Sequence, residues 1–259
     1  MDKIIQTPIY FQVLVQNIAV ADLGYTVVVI FPTIISSAAN GWVLSNFLCE
    51  ACALLQFVFG IANVIMVCAL SVCKLSCLLV PMRARIQTKT TGYVFVGIMW
   101  LVALVYPSQL FLLGRDLPYI PYLYRCMAGN RAGTIWVQLE LINTGIFIFI
   151  PLVTLLVATL WLLAFVHKVA DLNKQGLFVV LSVSFVFFLS YCPLFSYNVA
   201  HIFSKPSVVF YKLGIFIIFI SSASNPFLYL ITSRNFKDFV TNRIFASETT
   251  ASRSSLGVQ

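Results

Sequence analysis

The chain has 259 residues, 61% of them hydrophobic and 9% charged, with a formal net charge of +8. That balance excludes an ordinary soluble domain and leaves a polytopic membrane protein. No basic stretch is dense or interleaved with aromatics, so the positive charge belongs to loops beside anionic lipid and no nucleic-acid partner is expected.

In chain order, Met1 to Pro8 is polar, with no apolar core of a cleavable signal peptide, so insertion rests on the first span. That span, residues 9–35, carries Asp22 at its middle. Ser36 to Asn46 is a short outer loop containing Trp42. The second span, 47–79, runs from Cys49 and Glu50 to Lys74, ahead of Arg83 and Arg85, and is long enough to cross the hydrocarbon layer. Lys and Arg stay on the cytoplasmic side, so the Lys74 end is inside and the Cys49 end outside. A third span, 92–114, holds Trp100 and Pro107, and a polar outer connection from Arg115 to Thr134 contains Cys126. The fourth span, 135–166, is expected to kink at Pro151, because proline removes a backbone hydrogen bond and crowds the preceding turn. The fifth, 177–203, breaks at Pro193, and the sixth, 208–232, at Pro226. The expected fold is an all-α membrane bundle of six spans over 1–245, with a short amphipathic helix at 234–245 and a disordered tail at 246–259.

Six spans place both termini on one side. Lys3, Lys74, Arg83, Arg85, Lys89, Lys168, Lys174, Arg234, Lys237, Arg243 and Arg253 then fall inside, against Arg115, Arg125, Arg131, Lys205 and Lys212 outside. The bias supports a cytoplasmic C-terminus.

An acid at mid-bilayer costs about 2.5–3.5 kcal/mol on insertion scales, so Asp22 is expected to face the bundle interior with Asn63, Ser221, Ser222 and Asn225 at comparable depths. It serves either as a hydrogen-bonded acid that only joins helices or as a cation or water site, with sodium a candidate, coupled to a conformational switch. No enzyme chemistry, resident metal or cofactor is expected. Broken helices and a buried acid also suit an ion-coupled transporter, although the two halves show no internal repeat.

Asn17, Ala19, Ala21, Asp22 and Leu23, Trp42 followed by Cys49, Trp100, Pro151, Ser190-Tyr191-Cys192-Pro193, and the complete N-P-x-x-Y of Asn225-Pro226-Phe227-Leu228-Tyr229 occur in that order. Together with Phe236-Lys237-Asp238-Phe239 they resemble the rhodopsin-like G-protein-coupled receptors from helix two onward. Nothing here corresponds to the first of that family's seven helices, so the chain is expected to be a shortened form or a fragment. A truncated, non-signalling decoy of the same family is the alternative.

The resemblance implies a cell-membrane receptor that binds an extracellular ligand and signals to a heterotrimeric G protein. It implies a disulfide between Cys49 and Cys126, both on the oxidising face. Ligand contacts are expected at Gln56, Gly60, Tyr191, Tyr197 and His201, an inner polar switch at Asp22, Asn63, Ser221, Asn225 and Tyr229, and a packing relay at Val64, Pro151, Phe187 and Pro193. Gln56 stands where amine receptors carry an aspartate, which disfavours a monoamine and leaves peptide, lipid and odorant-like ligands open. Lys74, within Cys73-Lys74-Leu75, stands at the family's D-R-Y arginine and is expected to face the G protein; it keeps the charge but not the planar fork. Cys73 supplies no acid to lock it. Ser247, Thr249, Thr250, Ser252, Ser254 and Ser255 form a tail that kinases can modify, with an arrestin-like partner and surrounding lipid completing the expected contacts.

Overall fold

The computed structural model describes residues 9–79, 88–128 and 134–166, together with 181–182, 184–193, 196, 200, 209–210 and 212–220. Among them, four helices are long and apolar enough to cross a membrane: Gln12–Ala38, Asn46–Cys73, Lys89–Leu112 and Leu141–Ala164. They match the first four expected spans. The Ser184–Pro193 helix and a helical run at 212–220 fall inside the fifth and sixth. Pro226, the 234–245 helix and the tail lie outside the described residues.

Proline shapes three of the four rods. Pro32 has no N–H, and its ring would press on the carbonyl four residues back. The chain responds by widening: Thr26–Ile30 is a π turn whose wider loop closes with the Phe31 N–H on the Thr26 carbonyl. The fourth span does the same before Pro151, with a π turn at Gly145–Phe149 and the Ile150 N–H on the Gly145 carbonyl. At the expected kink at Pro151 the helix shows a widened turn just ahead of the proline. In the third span, helix Lys89–Ala103 pauses at Leu104, whose N–H divides between the Trp100 and Leu101 carbonyls at 3.2 Å each, and helix Val105–Leu112 resumes around Pro107. This span starts before the expected Gly92 because Thr88 caps it, its Oγ1 accepting the Thr91 N–H at 3.2 Å.

The all-α expectation needs one correction. Within the outer connection, β1 (Tyr119–Ile120) and β2 (Arg125–Cys126) form an antiparallel hairpin, pairing Tyr119 with Cys126 and Ile120 with Arg125. Pro118 and Pro121 interrupt any helix there, and aromatic and β-branched residues favour extended backbone. Tyr124 closes the turn in the left-handed region at φ 54°.

The second span is the axis, packed against the first, third and fourth, with Ala53, Ala62, Met66 and Val67 fully buried in it. The outward faces are apolar as well: Leu101, Phe111 and Leu112 are 66%, 71% and 80% exposed. Water would penalise that surface, whereas hydrocarbon is its natural solvent. Close approach of the first two spans depends on Gly24, where a Cβ would collide with the Phe59 ring. Phe59 in turn stands edge-on to Trp100, with ring centroids 5.9 Å apart.

Candidate ligand cavity and buried polar pair

The hairpin is fastened over the end of the second span. Cys49 and Cys126 form a disulfide with their Cα atoms 5.4 Å apart. Cys49 also stands in C-x-x-C spacing with Cys52, which is a free thiol in the same helix. Gln56 adds a second fastening, its Nε2 donating to the Ala53 carbonyl at 3.1 Å and to the Cys126 carbonyl at 3.4 Å. Trp42 packs on Tyr119 with ring centroids 6.1 Å apart and donates Nε1–H to the Ser45 carbonyl at 3.1 Å. Burial, with Tyr124 nearby, pushes the Tyr119 phenol up, so it stays protonated at physiological pH.

Beneath the hairpin lies a cavity of about 170 Å³. Gln56, Gly60 and Val64 of the second span line it on successive turns, and Tyr191 reaches it from the Ser184–Pro193 helix. Three of the five expected ligand contacts, Gln56, Gly60 and Tyr191, are thus brought together. Tyr197 and His201 lie outside the described residues. Tyr25, Tyr106, Arg125 and Asn143 also line the cavity, and sequence reasoning missed all four. Phe57, Tyr106 and Phe147 form a ladder along one wall, with centroids 5.0 Å and then 6.4 Å apart. Aromatic edges and faces in this arrangement hold shape as well as bury area.

One turn further along the first and second spans, Asp22 and Asn63 meet. Both are buried, and Asn63 Nδ2 donates to Asp22 Oδ1. A buried carboxylate is tolerated only when donors replace its water, which the amide begins to do. Asn63 Oδ1 is sealed with no partner among the described residues, so the pair keeps an acceptor to spare. Ser221, Asn225 and Tyr229, the other expected members, lie outside the described residues. Nearby, Trp100 donates Nε1–H to Asn17 Oδ1 at 3.2 Å, tying the third span to the first.

Of the expected packing relay, Val64 and Phe187 belong to one buried core, and Pro151 is buried behind its π turn. Pro193 is half-buried at the end of its helix. Phe187 stacks on Tyr191 at 4.2 Å between centroids, with planes inclined by 20°. Ser184, one turn earlier on the same face, meets Ser71 of the second span, Oγ to Oγ 2.8 Å, with both hydroxyls buried. Lys74 follows Ser71 by one turn; its side chain lies outside the described residues.

The profile of the seven-transmembrane receptors of the rhodopsin family matches residues 1–229. This chain belongs to that family. Among curated proteins it is similar to neuropeptide FF receptor 2 of Rattus norvegicus, 20% identical over 258 residues that cover 85% of this chain and 61% of the relative. The chain therefore spans about three fifths of the length of the relative it matches. Family membership makes it a multi-pass membrane protein of a non-enzymatic receptor family, and it gives no support to ion-coupled transport.

Proposed function

We propose that the chain is a ligand-gated receptor: a peptide-type ligand enters from outside beneath the hairpin, shifts the bundle between two arrangements, and thereby controls a heterotrimeric G protein at the Lys74 end. The observation that carries this reading is one helix face. Tyr191 in the cavity wall, Phe187 stacked on it and Ser184 against Ser71 connect the cavity to within a turn of Lys74. A ligand with different affinity for two placements of that face shifts their populations.

Two further points support the outer ligand. Disulfides persist on the oxidising side, so the Cys49–Cys126 bond supports an outer position for both, as does the bias of Lys and Arg toward the opposite loops. Gln56 in place of an acid leaves a monoamine without a counter-ion, and the similar receptor is named for a neuropeptide. Six spans, a cytoplasmic C-terminus, an arrestin-like partner at the 246–259 tail, lipid on the apolar faces and a sodium ion at Asp22 belong to the same proposal.

The test is G-protein dissociation in cells, followed by energy transfer between labelled subunits, at rest and against a panel of extracellular peptides. Lys74→Ala is expected to abolish both signals. Joint Cys73→Asp and Lys74→Arg, which restores an acid beside a planar cation, is expected to lower the resting signal and raise the peptide response. Unchanged signalling in Lys74→Ala overturns the assignment of that residue and confines the family resemblance to the fold.

A further inference from the structure

Three cysteines gather where the hairpin joins the second span, and the bond between two of them leaves the third over. Cys49 and Cys126 are bonded and buried, 6% and 3% exposed, so a reductant in solution reaches their sulfurs poorly. Cys52 is a free, half-buried thiol three residues from Cys49. On a helix of 3.6 residues per turn the two share a face. That face looks at Cys126: Cys49 is bonded to its sulfur, and Gln56, one turn beyond Cys52, donates Nε2–H to its carbonyl at 3.4 Å. Cys52 therefore stands between the two groups that hold the hairpin. Cys68, the next thiol along the helix, lies about 24 Å further on.

The place of Cys49 in its helix gives that thiol room to act. The helix begins at Asn46; Ser45 Oγ accepts the Leu48 N–H at 3.3 Å, and the Ser45 carbonyl accepts the Cys49 N–H at 3.1 Å. Cys49 thus sits in the opening turn, where the hydrogen-bond ladder is held from one side and helices often tighten to three residues per turn. Cβ atoms three residues apart on an α-helix are about 5–6 Å from each other, and a disulfide brings them to about 4 Å. Tightening of the opening turn closes that gap.

We propose that Cys52 is an exchange thiol that unties the hairpin without an outside reductant. Its thiolate attacks Cys49 Sγ; the Cys49–Cys52 bond forms, the Cys49–Cys126 bond breaks, and the electron pair leaves on Cys126 Sγ, which takes up the proton that Cys52 gave up. One thiol and one disulfide stand on each side, so the step needs neither oxidant nor reductant. It is slow, because uncatalysed disulfide rearrangement takes minutes to hours. The cover of the cavity then has two forms, one held covalently and one held by the Gln56 amide and the Trp42–Tyr119 contact. The inference is independent of what the cavity binds and of signalling.

The test uses the full chain in lipid nanodiscs, kept for hours in mildly alkaline buffer without oxidant or reductant, then quenched in acid, alkylated and digested without reduction. Mass spectrometry reads which sulfurs are joined. The unaltered chain is expected to accumulate, up to a plateau, a form with Cys49 joined to Cys52 and Cys126 alkylated, at the expense of the form with Cys49 joined to Cys126 and Cys52 alkylated. Cys52→Ser is expected to abolish the release of Cys126, and thermal melting shows that this variant folds as the unaltered chain does. Retention of the Cys49–Cys126 bond in every unaltered chain overturns the proposal. Release of Cys126 that continues in Cys52→Ser, or that leaves Cys49 joined to a cysteine other than Cys52, overturns it as well.

Discussion

The two ends of the second span are held in different ways. At the hairpin end it is joined to the outer connection by a disulfide, by the Gln56 amide and by the Trp42–Tyr119 contact. Toward Lys74 the same helix meets the Ser184–Pro193 helix through a pair of hydroxyls 2.8 Å apart. A covalent tie stabilises by about 2–4 kcal/mol and a neutral hydrogen bond by about 1 kcal/mol. The roof of the cavity is therefore held more strongly than the far end, and on the proposed reading a ligand's differential binding energy, which must be a few kcal/mol to shift a population, acts on the latter.

Cutting the tie tests that contrast most severely. Cys126→Ser frees a connection that closes a sequence separation of 77 residues, and the expected loss is about 2–5 kcal/mol. It is read as a lower melting temperature in nanodiscs. In the unaltered chain, Cys126 should resist brief thiol labelling on intact cells at neutral pH until reductant is added. Such labelling without reductant, or melting unaffected by Cys126→Ser, removes the tied roof from the description.

Between the two ends lies the Asp22–Asn63 pair, and the next effect in size is expected there. Asn63→Leu withdraws a donor from a buried acid and should cost about 2 kcal/mol, the middle of the range for leaving a buried polar group unsatisfied. Asp22→Asn replaces the carboxyl group by a neutral amide, so the same Asn63→Leu change made on that background should cost less. A double-mutant cycle on thermal stability is expected to give a coupling of about 1–2 kcal/mol. Additive losses within a few tenths would mean that the pair is adjacent but not coupled, and the proposed switch role would fall.

Residues whose chemistry conflicts with their place in the bilayer were legible in the sequence. Asp22 in an apolar run must find a donor, and Asn63 at matching depth provides it. Cys49 near the outer end of the second span and Cys126 in the outer connection pair as the resemblance implied. Legibility failed where lateral packing decides. Tyr106, Arg125 and Asn143 line the cavity because the third and fourth spans and the hairpin rotate toward the second, and one-dimensional spacing does not encode that rotation. Arg125 did carry a signal: a residue next to a cysteine bonded to Cys49 must lie over the end of the second span. The π turn before Pro32 was missed although the proline was visible, because the sequence does not say whether a helix kinks, breaks or widens around it.

The smallest stability change is expected to have the most informative functional consequence. Ser71 donates its hydroxyl hydrogen to the Val67 carbonyl at 3.2 Å, so the hydrogen joining the helices is that of Ser184, donated to Ser71 Oγ. Ser184→Ala removes this donor and leaves Ser71 bonded within its own helix, at a cost of about 1 kcal/mol, which melting will barely register. If that hydroxyl holds the two helices in the resting arrangement, the same energy appears as a roughly fivefold rise in the population of the other one. G-protein dissociation without ligand should rise accordingly. Ser184→Thr retains the hydroxyl and is expected to keep resting activity low. A resting signal that is the same for Ala and Thr at this position would show that the hydroxyl pair only fills space, and the looseness of the far end would have to come from Cys73 and Lys74.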